Sequence, residues 1–548
     1  MRSLEQALYD HELITLRVIG EWWEMDLAGM EKGEAVAYLA QNLAALDMQQ
    51  EVRFLPPEEL SAMNELIARG GRVPVAAFSR SHGEVRQMGP GRMEREEPWL
   101  DPVSPLEALW YRGFLYRAFQ ETAEGMVEFF YLPEELLGQF PEAFNDETEE
   151  PQHALVPVDM PDDARAGGDT RAVDDLTTLL AVALRMAVDE NQERPWNRWL
   201  LDPDPDRYSL LLNLARDKGW LRESEGSLRP TRSAAAWLKA GREAQLYELA
   251  DAWSNSTWND LCHTPGLICE GVNWQNDPIL ARTALLDLLP RNDRWYSLEA
   301  LVALMYESNP DFQRPDGNYD TWYIRDQRSD GYLAGFDNWH YVEGRLLRFL
   351  LLGPMNWLGL AVVTGNPGDA RFRLSDLGLR WLAGDKPADL EDKPPIVVHP
   401  DASILVAHNA DRYQRFQVTR VAELESVDGR KPYHYRLTPA SLSLAGEQGI
   451  TAERLIRFLT TAAETELPKS VQRAIERWSQ QGVEARLESV QVLRAADPAI
   501  LETLRANAKT RDLLGESLGD LAVVVKPGQW PKLRAACAQL GLFIDDAI

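Results

Sequence analysis

"FRLSDLGLRWLAG", Phe372 to Gly384, has an earlier counterpart in "LRPTRSAAAWLKA", Leu228 to Ala240. At one constant offset Arg229 falls on Arg373, Thr231 on Ser375, Trp237 on Trp381 and Leu238 on Leu382. The preceding segments, "LLNLARDKGWLRESEGS" and "FLLLGPMNWLGLAVVTGNPGDAR", each pass through a Trp-Leu pair. In the first copy the apolar residues of "DRYSLLLNLARDKGWL" make one helical face, and Gly219 stands where that helix would stop. "WL" and "LRPT" then flank "RESEG" as a short hairpin, and "SAAAWLKAGREAQLYELADAW" returns to helix. The second copy gives helix "VEGRLLRFLLLG", strand "LAVV", turn "TGNPGD", strand "RFRL" and helix "SDLGLRWLAG". Equating the two Trp-Leu pairs makes its turn about seven residues longer.

Helix, two-stranded wing and helix form the back half of a winged helix. Upstream helices are predicted in both cases, at "DLTTLLAVALRMAV" and at "ARTALLDLLP" with "SLEALVALMYES". A third, weaker copy places "GFLYRAF" and "VEFFYLP" as wing strands around "QETAEGM". The expected fold class is mainly α with small β wings (α+β): tandem winged-helix modules followed by a C-terminal α/β domain.

The chain has 548 residues, 45% of them apolar and 26% charged, which fits several globular domains. No apolar run approaches the ~20 residues of a membrane span. The N-terminus carries acids through its first turns and lacks the pattern of a secretory signal. Only Cys262, Cys269 and Cys537 occur, so the fold is not expected to rest on disulfides, and a cytoplasmic location is predicted. Composition suggests an N-terminal domain over 1–141 and an acidic, Pro- and Gly-rich linker over 142–175, too polar to repay its ordering entropy. Modules over 176–270 and 271–395 and a C-terminal domain over 396–548 follow.

The net charge of −29 opposes phosphate binding by the chain as a whole. Its distribution weakens that objection, because positive and negative side chains balance from Ile396 to Ile548. The upstream acidity fits plain solubility or a surface that docks on a basic partner.

Motifs for familiar catalysis do not occur. There is no GxxxxGK[ST], no GxGxxG after a strand, no HExxH and no GxSxG. No enzyme, cofactor or small-molecule substrate is therefore expected. Cys262, His263 and Cys269 lack the second ligand pair a structural zinc needs, and are expected as ordinary packing or loop residues. The acids between Asp311 and Asp330 alternate with arginines and do not space like a calcium loop. Trp237, Trp357 and Trp381 are expected in the core. The candidate nucleic-acid contacts are cations on predicted helix faces. Arg207, Arg216 and Lys218 flank the helix before the first wing, and Arg345 and Arg348 lie one turn apart on the corresponding second helix. The apolar character of "RLLRFLLLG" favours protein contact for that second copy.

The segment "VAELESVDGRKPYHYRLTPASLSLAGEQGITAERLIRFLTTAAETELPKSVQRAIERW" carries Ala422-Glu423, "YHYRLTPASL" from Tyr433, and Gly449 with Thr451 and Glu453. Leu467-Pro468 then opens a helix ending near Trp478. Over roughly 396–500 this resembles the N-terminal domain of XPB-type DNA repair and transcription helicases, and a related helicase-associated domain of bacterial proteins. Bottom-up, the region is a small α/β unit: strand–turn–strand at "PIVVHPDASILVAH", helices opened by Thr438 and Thr451, a third helix, and a strand in "VEARLESVQVL". Arg454 and Arg457 lie one turn apart on one helix, as do Arg473 and Arg477 on the next, forming a candidate phosphate-binding patch. XPB-type enzymes carry two motor domains after this domain, whereas only about 50 residues follow it here. The resemblance therefore implies an accessory role: a DNA-associated adaptor for a helicase or nuclease supplied in trans, in repair or defence. The rivals are a winged-helix transcription regulator and an acidic protein scaffold.

Overall fold

The computed structural model describes residues 2–122, 125–140, 155–162, 167–185, 195–224, 227–271, 274–366, 368–388, 393–481 and 490–545. They are mixed α/β, with helices predominating and several small antiparallel sheets. The chain divides into two compact units. The first is Met1–His399 with Ser403–Arg436 and Thr461–Glu466; the second is Pro400–Ala402, Leu437–Thr460 and Leu467–Ile548.

One topology recurs. Four times, helices separate a strand from a later hairpin, and that strand pairs antiparallel with the hairpin's second strand. The first three cases lie in the first unit. Arg72–Pro74 joins Gly125–Tyr131 of the hairpin with Tyr116–Thr122, and Trp295–Ser297 joins Arg371–Leu374 of the hairpin with Ala361–Thr364. Ser403–Val406 joins Lys431–Arg436 of the hairpin with Glu423–Asp428. In the second unit Gln491–Arg494 joins Ala522–Val525 of the hairpin with Leu514–Ser517. The hairpin Leu221–Ser224 with Ser227–Pro230 forms a sheet of two strands.

The repeat found in the sequence holds at atomic level, with a different anchor. Gly219 and Gly359, both at positive φ (66° and 75°), close the helices that precede the two hairpins. The Thr231 hydroxyl donates to the Gly219 carbonyl at 2.7 Å, and the Ser375 hydroxyl to the Gly359 carbonyl at 2.5 Å. The Thr231 and Ser375 backbone N–H groups donate to Trp220 and Leu360. Trp220-Leu221 thus corresponds to Leu360-Ala361, and Trp357-Leu358 lies earlier, in the end of the preceding helix. The anchors lie 12 residues apart in the first copy and 16 in the second, so the extra length is smaller than the Trp-Leu alignment predicts.

At the centre of the first unit lies the helix Arg171–Arg185. Its apolar residues Ala172, Val173, Leu176, Leu179, Leu180 and Ala183 are buried, and so are the polar Asp174, Asp175, Thr177 and Thr178. A helix buried all round must pair every polar group it carries. Asp174 receives Arg242 at 2.8 Å, Asp175 receives Arg207, and Thr178 receives Arg415 at 3.1 Å. Arg415 also donates to the Asp174 carbonyl and lies 4.2 Å from the Tyr433 ring centroid. The strands and helix of 397–436 are therefore part of the first unit, and the units divide inside the predicted 396–548 domain. Of the predicted linker, residues 142–154 and 163–166 lie outside the described residues. Pro157–Val158 adds an edge strand to Trp295–Tyr296, and the central helix begins at Arg171, so these parts are ordered despite their polar setting.

Two side-chain expectations are corrected. Cys262 and Cys269 are joined in a disulfide, their Cα atoms 5.4 Å apart. Gly266, at φ 86°, makes the reversal between them. His263 stacks on Trp258 with ring centroids 4.3 Å apart and pairs with Asp206 at 2.8 Å. Trp237 and Trp357 are buried as expected, whereas Trp381 is only partly buried and donates its indole N–H to Asp251 at 2.7 Å. No helix among the described residues is long and apolar enough to cross a membrane.

The N-terminal core contains His11, packed against Trp110 and Tyr116 with ring centroids 4.6 and 5.1 Å away. Burial, and secondarily Lys32, push its pKa down to about 4 from an ordinary 6.5. The unfolded chain then binds the extra proton between those values. Stability from keeping this ring neutral is fully present above pH ~6.5 and is lost as pH falls through ~4, amounting to about 3 kcal/mol. His11→Phe should flatten the urea-midpoint profile between about pH 4 and 6.5. A slope identical to that of the unmodified chain would show that His11 is not the responsible group.

Candidate nucleic-acid interface

A helix can place cations on DNA only if its face is open, and the candidate contacts lie on the helices before the two repeat hairpins and on two C-terminal helices. The first repeat's helix, Pro205–Asp217, starts on Pro205 after an Asp204 N-cap whose carboxylate accepts from Arg207 N–H. Burial pushes the Asp175 pKa up to about 6 against the pull of Arg207, whose guanidinium ion-pairs with it inside the core. Arg207 is 1% exposed and serves the interior, which corrects its assignment as a contact. A charge deprived of water there is held by a fixed partner and cannot reach a phosphate. Arg216 and Lys218 are exposed, with Lys218 3.8 Å from Glu248.

The second repeat's helix, Trp339–Leu350, is buried along most of its length: Trp339, Val342, Glu343, Leu346, Leu347, Phe349 and Leu350 all face protein. Arg345 donates to Asp326 at 2.7 Å and to the Gly266 carbonyl at 3.2 Å. Two Ser329 and Arg328 backbone donors also hold Asp326, so its carboxyl sits well below the ordinary range. Arg348 makes a two-point bond to Glu299 at 2.7 and 2.5 Å, which lowers the Glu299 pKa. Both arginines are partly exposed and tie their helix to neighbouring segments. The N-terminal counterpart, Pro105–Tyr111, likewise buries Leu106, Glu107, Ala108, Leu109 and Tyr111.

Arg454 and Arg457 are exposed on Ala452–Ala463, and Arg473 and Arg477 are exposed on Lys469–Gln481, the placement the sequence predicts. Val471 and Ile475 supply the buried face of the latter helix. Thr438 forms a capping box with Ser441, and Thr451 accepts from Arg454 N–H at 3.3 Å, as expected of N-caps. Arg454 also reaches the Gly449 carbonyl at 3.5 Å.

The sequence reading missed the cations of the last unit. Lys509 and Arg511 are exposed on Ala508–Arg511, the helix before the final hairpin, where Thr510 alone is buried. Lys526 is exposed at the hairpin's end and Lys532 on Trp530–Gln539. "KTR" and "KPGQWPKLR", close to the chain's end, were the available signal.

Residues 396–519 match the family model described as Helicase conserved C-terminal domain. The match begins at the predicted Ile396 and extends past the predicted end near residue 500. The DNA 3'-5' helicase XPB of Kineococcus radiotolerans is 30% identical over 161 residues, 28% of this chain. The chain spans 28% of that relative's length. The C-terminal part of the chain is thus a helicase-related domain.

Proposed function

We propose that the chain is a non-enzymatic, DNA-associated adaptor that docks or regulates a helicase or nuclease supplied in trans, in DNA repair or defence, within the cytoplasm. The recurring strand–helix–hairpin units are, in this reading, winged-helix modules. The observation that carries it is the helicase-related domain at 396–519, set in 548 residues without a GxxxxGK[ST] phosphate cradle. Burial of the helices before the first three-stranded units' hairpins supports an adaptor over a transcription regulator, because an enclosed helix cannot enter a major groove to read bases. Contacts left to exposed cations go to phosphates, which carry no sequence information.

Anisotropy titration of two unrelated labelled duplexes tests this. Both should bind with similar affinity, about 10⁻⁴–10⁻⁶ M, and weaken steeply between ~50 and ~200 mM salt. ATP turnover should be undetectable with or without DNA. A preference of more than about tenfold for one duplex, roughly 1.4 kcal/mol, would favour the transcription regulator. No binding at ~50 mM salt would leave a protein scaffold without DNA contact.

A further inference from the structure

We propose that the last strand–helix–hairpin unit of the second compact unit is a phosphate-binding site for duplex DNA, formed by Lys509, Arg511, Lys526 and Lys532. This rests on the DNA-associated reading above and says where the contact lies.

The elements that carry these cations meet around one small core. Leu493, Leu501, Leu504, Leu514, Val523, Val525, Leu533 and Cys537 are all buried there and hold the helices Pro498–Ala506 and Trp530–Gln539 and the hairpin together, with Ala508–Arg511 joining the first of those helices to the hairpin. The helix Ala508–Arg511 is capped by Asn507, which accepts from Lys509 N–H at 2.9 Å. Thr510 turns inward, its hydroxyl donating to the Leu504 carbonyl, so Lys509 and Arg511 on either side of it are left exposed. Lys526 abuts the end of that helix: its N–H donates to the Leu513 carbonyl at 3.1 Å and its Nζ to the Asp512 carbonyl at 2.8 Å. A turn closed by Gln529 N–H on the Lys526 carbonyl leads directly into the final helix and Lys532. Lys509 reaches the other end of that helix, its Nζ 3.1 Å from the Gln539 amide oxygen.

Lys509 and Arg511 thus lie on one short helix whose solvent face is open, Lys526 abuts its end, and Lys532 lies on the final helix that Lys509 reaches. That separates this unit from its counterparts. The helices before the other hairpins bury at least five side chains each, and Arg207, Arg345 and Arg348 on them are spent on Asp175, Asp326 and Glu299. Here Lys509 and Lys526 bond only neutral oxygens in the contacts seen, which leaves their charge uncompensated. Asp512 lies 3.4 Å from Arg511, and Glu516 and Asp520 are the other acids from Arg505 to Arg534. Lysines on such a surface act as mobile point charges, suited to the DNA backbone and to no particular base.

The test uses the full chain and a labelled 25-bp duplex of arbitrary sequence, about two helical turns. Lys509→Gln with Lys526→Gln should weaken binding about 60-fold at ~0.1 M salt and make the salt slope shallower by about 1.8, since each phosphate contact contributes about 0.9. Lys509→Arg with Lys526→Arg keeps both charges and should bind within about twofold of the unmodified chain. Near-ultraviolet circular dichroism of each variant reports whether the fold is kept. An unchanged slope in the Gln pair, with the unmodified chain still binding, overturns this site and leaves the DNA reading standing with Arg454, Arg457, Arg473 and Arg477. Loss of binding in the Arg pair as well assigns the effect to packing and overturns the site. Tighter binding to an RNA hairpin than to the duplex overturns the choice of DNA. Failure of the unmodified chain to bind duplex at ~50 mM salt overturns the parent reading and this site together.

Discussion

Arg282→Met should destabilise the first compact unit by about 3–5 kcal/mol. Arg282 is fully buried. Its Nε donates to Asp260 at 2.8 Å, Nη1 to the Trp253 and Ser256 carbonyls at 2.5 and 2.6 Å, and Nη2 to the Trp258 carbonyl. One guanidinium thus satisfies the carbonyls at the end of the helix Arg242–Asn255 and in the loop beyond it. Methionine fills much of the volume and satisfies none of them. It also leaves Asp260 in apolar surroundings, where burial already raises its pKa against the pull of Arg282. Urea unfolding followed by tryptophan fluorescence measures the loss. Adding Asp260→Asn to the variant should recover part of it, because the uncompensated charge goes while the orphaned carbonyls remain. A loss under ~1 kcal/mol for the single variant would mean that water replaces the guanidinium, and the site would count as wet.

Gly378→Ala should cost about 3 kcal/mol or more, a large value for one added methyl group. Gly378 sits in the first turn of Asp376–Leu382, its N–H donating to the Ser375 hydroxyl at 2.9 Å. A Cβ there would lie 2.0 Å from the Leu360 carbonyl oxygen, the same oxygen that accepts from Ser375 N–H. Helix or hairpin must shift, and the shift breaks the anchor that defines the repeat. The first copy carries buried Ala234 at the corresponding position, so the close approach belongs to the second copy. Ala234→Gly should therefore cost only about 1 kcal/mol, by helix propensity and a small cavity. Equal costs for the two substitutions would refute this distinction between the copies. Thermal and urea midpoints of both variants decide it.

The helix–hairpin–helix repeat was visible in the sequence because Gly219 and Thr231, like Gly359 and Ser375, are chosen locally, by a left-handed backbone and a hydroxyl. The extra strand of each sheet was harder. Arg72–Pro74 and Trp295–Ser297 have three residues each, too few for an alternating pattern, and pair with strands far along the chain. The Trp-Leu alignment failed because it matched letters where the fold matches a hydroxyl-to-carbonyl bond.

Charges were the least legible. Arg207 and Arg216 stand near the two ends of one helix on opposite faces, but the acid that draws Arg207 inside, Asp175, lies 32 residues before it. The ion pairs of Arg345 and Arg348 were hidden for the same reason, since their acids come from a short strand and from another helix. The C-terminal candidates fared better. Arg454, Arg457, Arg473 and Arg477 lie on helices with strongly one-sided patterns, and there the period alone places a side chain outside. Lys509 escaped notice because a four-residue helix has no period to read, and Lys526 because it lies just past the end of a strand.

The helix Arg171–Arg185 has a consequence for how such a chain can change in length. In solenoids each repeat touches only its neighbours, so a duplicated repeat finds a ready surface at either end. Here segments distant in sequence meet at one rod, through Arg207 on Asp175, Arg242 on Asp174 and Arg415 on Thr178, and the acids and threonines of that rod are already enclosed. A newly copied module would bring an arginine for which this rod holds no open seat. Growth by duplication is closed to this architecture at its hub, and new parts can enter only through surface loops or chain ends.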